Sequence, residues 1–222
     1  MMPDENNQYT PEAEPKAKPK RSIQREILEW IGSLAAALVI VLILQNFLFM
    51  FIAVDGHSMD TTLADGERLF VTVADVKFGD VDRDDVVICN YPGRTSKFLF
   101  FFDRPTFFVK RCVAVAGDRV YRQGGITHVV YETTDENGET VTVDEPLEDT
   151  PQFYPYDDYE PYTLKEGEYF VVGDNRTNSH DSRTWNCSGF PEDYIVGPIT
   201  KDMLVGHVRC VIWPLNQIRG VE

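Results

Sequence analysis

Clustered metal ligands are missing from this sequence. Its four cysteines, Cys89, Cys112, Cys187 and Cys210, form no CxxC pair and no His/Cys cluster of zinc-site spacing. Positive charge is also scarce. The 21 Lys and Arg face 36 Asp and Glu, a formal net charge of −15. Five of the bases and six of the acids fall in residues 1–29, which leaves 16 and 30 beyond them. So acidic a remainder excludes a nucleic-acid binder and a domain held flat on anionic lipid by charge alone. No internal repeat is present, and no amphipathic helical window of useful length follows residue 55. Long apolar runs are limited to one.

That run, Trp30–Val54, contains no Asp, Glu, Lys or Arg. About 25 residues at about 1.5 Å rise give about 37 Å of helix, enough to cross a bilayer core with some tilt. Its apolar character on every face argues against a soluble core helix, and its length against a cleavable signal. Residues 1–29 read as a polar cytoplasmic tail, disordered up to about Ile23. Lys16, Lys18, Lys20, Arg21 and Arg25 precede the run, so the positive-inside rule puts the N-terminus in the cytoplasm and residues 55–222 outside. Four cysteines in an oxidising compartment favour one or two disulfides, with three pairings open.

After the membrane segment the pattern is β. Arg68–Val76, Asp85–Asn90, Thr106–Val115, Glu168–Val172 and Leu204–Trp213 are rich in β-branched and aromatic residues and bounded by Gly, Pro, Asp or Asn. Between Val120 and Glu168 lie Gly124-Gly125, an acidic hairpin-like run at 135–138 and the loop PQFYPYDDYEPY. This stretch reads as an inserted β-rich segment without catalytic residues.

Ser58, four residues beyond the apolar run, is a hydroxyl that needs a base to become a nucleophile. Of the four histidines, His57 is its sequence neighbour and points the other way in an extended chain. His128 falls in the insertion, and His180 and His207 stay open as bases. Lys110 is the other base. On period-two alternation it shares a strand face with Phe108, Cys112 and Ala114, among which desolvation would lower its pKa. Alternation alone favours the plainer account, an edge-strand lysine with its amine in water. The run GDNRTNSHDSR, residues 173–183, then adds turn chemistry and the hydrogen-bonding groups Ser179, Asp181, Ser182 and Arg183.

GHSMDTTL after a membrane anchor, FVKRCVAVAGD, GDNRTNSHDSR and VGHVRCVIWP stand in one order. Together they resemble the bacterial type I signal peptidases, membrane-anchored serine endopeptidases with a Ser-Lys dyad. The resemblance implies an all-β external catalytic domain (55–120 and 168–222) with a smaller inserted β-domain (121–167), preceded by one N-terminal transmembrane helix (30–54). It makes Ser58 the nucleophile, Lys110 the general base and Ser179 the lysine-orienting hydroxyl. Asp181 and Arg183 become a structural ion pair. Val54, Met59, Leu63 and Val109 line shallow subsites, and the Ser58 backbone N–H serves the oxyanion hole. No metal or organic cofactor is implied.

The implied partners are signal-peptide-bearing preproteins, membrane lipid and the translocation machinery, at the plasma membrane. Three departures from the family pattern stand out. Gly56 occupies the place of a serine that helps the oxyanion hole in some relatives, Thr61 replaces a usual proline, and Asn186-Cys187 opens a longer loop to Pro191. Two alternatives remain beside a general signal peptidase. One is a Ser-Lys processing protease dedicated to a few secreted or pilin-like partners. The other is an inactive anchored β-domain that binds exported proteins.

Overall fold

The computed structural model describes residues 22–98, 102–147, 157–188 and 191–221. The expected disordered tail, with Lys16, Lys18, Lys20 and Arg21, and positions 151–156 of the Pro/Tyr-rich loop lie outside them.

Helix α1, Ile23–Phe47, opens with Glu26 in its first turn, where a carboxylate favours the helix dipole. Its segment Ile23–Leu44 is long and apolar enough to cross a membrane. The helix does not fill the expected bounds of 30–54. It starts earlier and ends at Phe47, and Phe49–Ala53 form a strand, β1. An apolar run cannot by itself separate helix from strand. Here FMFIA is aromatic and β-branched and finds a partner in β2, Arg68–Thr72. Phe49 and Phe51 gather around Phe70 on one face. Met50 and Ile52 pack toward the core on the other.

The remaining strands are β3 (Val86–Phe98), β4 (Phe102–Ala114), β5 (Arg119–Gln123), β6 (Ile126–Thr134), β7 (Thr140–Pro146), β8 (Tyr159–Thr163), β9 (Glu168–Val172), β10 (Ile199–Thr200), β11 (Leu204–Trp213) and β12 (Arg219–Gly220). The all-β architecture expected from the alternation is present, and β9 and β11 keep the bounds read from the sequence. The run Arg68–Val76 does not stay a strand. β2 ends at Thr72 and a five-residue helix, α2 (Ala74–Phe78), follows. Part of the tyrosine-rich loop is itself a strand, β8.

Two antiparallel sheets result. The larger has the order β1-β2-β11-β3-β4-β9-β10, with β12 on β11; the smaller runs β7-β6-β5-β8. At the centre of the larger sheet both faces are covered. In β3, Val86 and Ile88 enter one core cluster while Val87 and Cys89 enter another. A third cluster joins the sheets, with Val113 and Phe170 from the larger and Val120 and Val129 from the smaller. A bulge after Cys112 ends the alternation in β4. Ala114 therefore leaves the face of Lys110 and Cys112 and packs with Val113.

The expected disulfides are absent, and all four cysteines are free. Cys89 lies opposite Phe108, four residues along β4 from Cys112. That is about 13 Å of strand, against the roughly 6 Å a disulfide spans. Cys187 sits in a loop against Arg122, and Cys210 pairs across to Gly220 on β12. Burial pushes the Cys89 thiol up to about 11 and raises Cys112 further, so neither is a reactive thiolate.

Candidate active site

Lys110 lies in β4, an interior strand between β3 and β9, in register with fully buried Val87. Only 2% of Lys110 is exposed, so its amine does not reach out to bulk water. The edge-lysine account therefore fails. Its Nζ donates to Ser58 Oγ over 2.7 Å. Burial drives its pKa below the ordinary lysine value, against the opposing pull of Asp181 and Cys89. The pair is thus a hydroxyl beside an amine that loses its proton readily, which is what nucleophilic activation needs.

Ser58 is held by a tight turn. Gly56 has a φ of 108°, which favours glycine, and its N–H donates to Asp65 Oδ1 at 2.9 Å. A serine there would be strained by the backbone, although open space surrounds the site. Thr61 has a φ of 90°, which proline cannot adopt. The turn then closes through Thr62 N–H and Leu63 N–H, both donating to Met59 C=O.

Residues 173–178 clasp this turn from outside. Asn175 N–H donates to Ser58 C=O at 3.0 Å, and its Nδ2 donates to His57 C=O at 2.9 Å. Asp174 accepts two bonds from Arg111, each of 2.9 Å, and one from Thr62 Oγ1 at 2.5 Å. Burial pushes the Asp174 carboxyl up, but the Arg111 and Thr62 bonds outweigh it and leave it below the usual range. Sequence reasoning missed Arg111, Asp174 and Asn175 as clamps. Arg111, next to Lys110 and on the other strand face, was the available signal.

Gly173 stands where chains meet. A Cβ there would land on Ser179 Oγ and Ser58 C=O. Its N–H donates to Asp181 Oδ2 at 3.0 Å. Asp181 and Arg183, both buried, pair through Nε–Oδ1 at 2.8 Å and Nη2–Oδ2 at 2.9 Å. Burial alone would raise the Asp181 carboxyl; the Arg183 charge and bonds and the Gly173 N–H overcome this and hold it low. The segment is a short 3-10 helix, Ser182–Thr184. Ser182 Oγ accepts from Val171 N–H of β9, and Thr184 Oγ1 accepts from Val196 N–H.

Ser179 Oγ is sealed from water and has no hydrogen-bond partner among the described residues. The bond from it to Lys110 that the resemblance implies is not formed. The Ser179 hydroxyl nonetheless helps hold the Asp181 carboxyl low. Val54, Met59 and Leu63 are buried in one core cluster, with Val109 partly buried beside them. They form an apolar floor beneath the Ser58 turn.

The histidines are placed elsewhere. His57 is exposed beside Asp60, and His128 pairs with Asp144 in the smaller sheet. His180 meets Tyr194, and His207 meets Asp85. None of the four hydrogen-bonds Ser58, whose Oγ partner is Lys110.

A family model described as signal peptidase, peptidase S26, matches residues 27–213. Signal peptidase IB of Staphylococcus aureus (strain COL) is 31% identical over 204 residues, covering 87% of this chain and 93% of that protein. Signal peptidase I S of Bacillus subtilis (strain 168) is 31% identical over 193 residues, covering 87% of this chain and 92% of that protein. A crystal structure of a signal peptidase I from Enterococcus faecalis V583 covers 58% of this chain and 96% of its own, with 20% identity and a TM-score of 0.32.

Proposed function

The chain belongs to the signal peptidase family, peptidase S26, and is a hydrolase; from that premise we propose that it removes signal peptides from exported preproteins with Ser58 as nucleophile and Lys110 as general base. The observation that carries the reading is the 2.7 Å approach of Ser58 Oγ to the buried Lys110 amine. A neutral amine accepts the Ser58 proton across the same distance while Oγ attacks the scissile carbonyl. The amine then protonates the leaving nitrogen, and an acyl-enzyme remains. Lys110 next takes a proton from water as that water attacks the acyl carbon, and the resulting ammonium returns the proton to Ser58 Oγ as the ester bond breaks. Ser179, the unpartnered hydroxyl beside Gly173, holds the lysine amine while Ser58 is acylated.

Among the described residues the Ser58 N–H donates no hydrogen bond, which leaves it available to an oxyanion. The apolar floor of Val54, Met59, Leu63 and Val109 suits small side chains at the first and third positions before the cut. The preprotein binds extended, as an added strand. The chain is held at the plasma membrane in lipid by α1, with its N-terminus in the cytoplasm, beside the translocation machinery that delivers its substrates. The catalytic domain comprises 55–120 and 168–222, with 121–167 inserted.

The test is incubation of the purified full chain with a preprotein whose signal ends in A-x-A, followed by mass spectrometry of the new N-terminus. A cut directly after that motif, lost in Ser58→Ala, is expected. A cut elsewhere, or one that survives Ser58→Ala, overturns the proposal.

A further inference from the structure

Arg122 belongs to β5 of the smaller sheet, in the segment read from sequence as non-catalytic, yet it is only 2% exposed. A guanidinium carries a permanent charge and five donors, so burying it is costly unless its geometry is met. Here it is met from two sides. Within the smaller sheet, Nε and Nη2 fork onto Thr127 Oγ1 at 3.3 and 3.1 Å, and the guanidinium lies 5.1 Å from the Tyr159 ring centroid. Nη1 donates to Asp157 C=O at 3.3 Å. Across the junction, Nη2 donates to Arg183 C=O, and Nη1 lies 3.8 Å from Cys187 Sγ.

Arg183 C=O is the backbone of the short helix Ser182–Thr184, and a chain of hydrogen bonds leads from that residue to Gly173, which packs against the backbone of the nucleophile. The Arg183 side chain grips Asp181, Asp181 accepts the Gly173 N–H, and Gly173 closes against Ser58 C=O and Ser179. A second contact fastens the same segment to the same sheet. Trp185 meets Tyr159 and Tyr162 of β8 with ring centroids 5.2 and 4.9 Å apart.

We infer that Arg122 is a positioning residue for the Ser58–Lys110 pair, fixing segment 181–185 to the smaller sheet so that Gly173 and Ser179 stay packed against Ser58. The inference rests on the reading of Ser58 and Lys110 as the reacting pair. It gives the inserted sheet a role in the reaction that no side chain touching substrate would reveal. The groups whose charge or titration bears on the Lys110 amine are Asp181, Cys89, Arg183, Asp174 and His180. Two of these, Asp181 and Arg183, sit on the segment that Arg122 holds.

The experiment uses the full-length protein in detergent micelles and a signal-bearing preprotein, comparing wild type with Arg122→Met, Arg122→Lys and Lys110→Ala. In Arg122→Met, kcat falls by about 10- to 100-fold, the cost of sub-ångström to ångström misplacement, with KM little changed. Its acid limb moves to higher pH, because water admitted beside Lys110 relaxes the burial that lowers the lysine pKa. Alkaline pH therefore restores part of the rate. Arg122→Lys falls between, since an ammonium reaches Arg183 C=O but cannot also fork to Thr127. A folded Arg122→Met with the wild-type kcat and acid limb overturns the inference, as does a loss of active fraction with an unmoved limb. If Arg122→Met does not fold, a wild-type profile in Arg122→Lys overturns it equally. Lys110→Ala that still cleaves removes the dyad and this inference with it. An inactive Lys110→Ala alongside an unmoved Arg122→Met profile removes this inference alone.

Discussion

A buried Lys110 amine costs stability where it stands, and the proposed chemistry depends on that. Its amine is buried in an interior strand, so the folded chain binds its proton less tightly than the unfolded chain does. Between the lowered folded pKa and the ordinary value of about 10.4, the unfolded state carries more protons and stability rises with pH. The cost is complete below the folded pKa, fades through this window and is gone above the ordinary value. Lys110→Met keeps the length of the side chain and removes this cost. It should raise the unfolding free energy by about 0.5–2 kcal/mol at neutral and acid pH, and the gain should shrink toward pH 10. Denaturant titration of both proteins across pH checks this; a Lys110→Met less stable than wild type at pH 6 would show that the amine is not a burial cost.

The same scale shows how much of the site could be read from the sequence. Ser58 and Lys110, 52 positions apart, were legible through the set of motifs that carries the family resemblance; alternation put the lysine among apolar neighbours but by itself favoured an edge lysine. Its depth was not. Alternation assigns a face but does not say whether a strand is at the edge, and only the β3-β4-β9 order makes Lys110 interior. The clamps Asp174 and Asn175 were visible only as turn residues, because their partners, Arg111 and the Ser58 turn, are more than 60 positions away.

Among elements, the β9 exit and the Ser58 turn form a tight junction. Gly173 follows β9 directly, and its missing side chain is the space that Ser179 and Ser58 C=O occupy. Gly173→Ala should therefore displace one of them. The expected result is a destabilisation of about 1–3 kcal/mol, the range for overpacking, together with loss of cleavage larger than the stability change explains. Thermal denaturation beside a single-turnover cleavage assay separates the two. Full activity in Gly173→Ala would show that this close approach does not set the geometry. Strand existence was legible at this scale, but two element identities were not. FMFIA looked like the end of a helix because an apolar run has no period, and β2 gives way at Thr72 to a short helix the alternation did not signal.

At the scale of the molecule, one chain joins an apolar helix to a two-sheet domain whose smaller sheet meets segment 181–185 through Arg122 on Arg183 C=O and through Tyr159 and Tyr162 on Trp185. The sheets share a core cluster, so the smaller sheet is bound to the larger by packing as well as by hydrogen bonds. The free cysteines fit this construction: the fold is held by cross-strand pairing and three apolar clusters rather than by covalent staples.

All of it serves one claim, that a neutral Lys110 takes the proton of Ser58. The most direct measurement is the rate of preprotein cleavage by the full-length protein as a function of pH, with Lys110→Ala in parallel. The account predicts an acid limb above the carboxylate range and below the ordinary lysine value, and no cleavage by Lys110→Ala at any pH. An acid limb near pH ~4, where Asp and Glu titrate, or cleavage retained by Lys110→Ala, would contradict it.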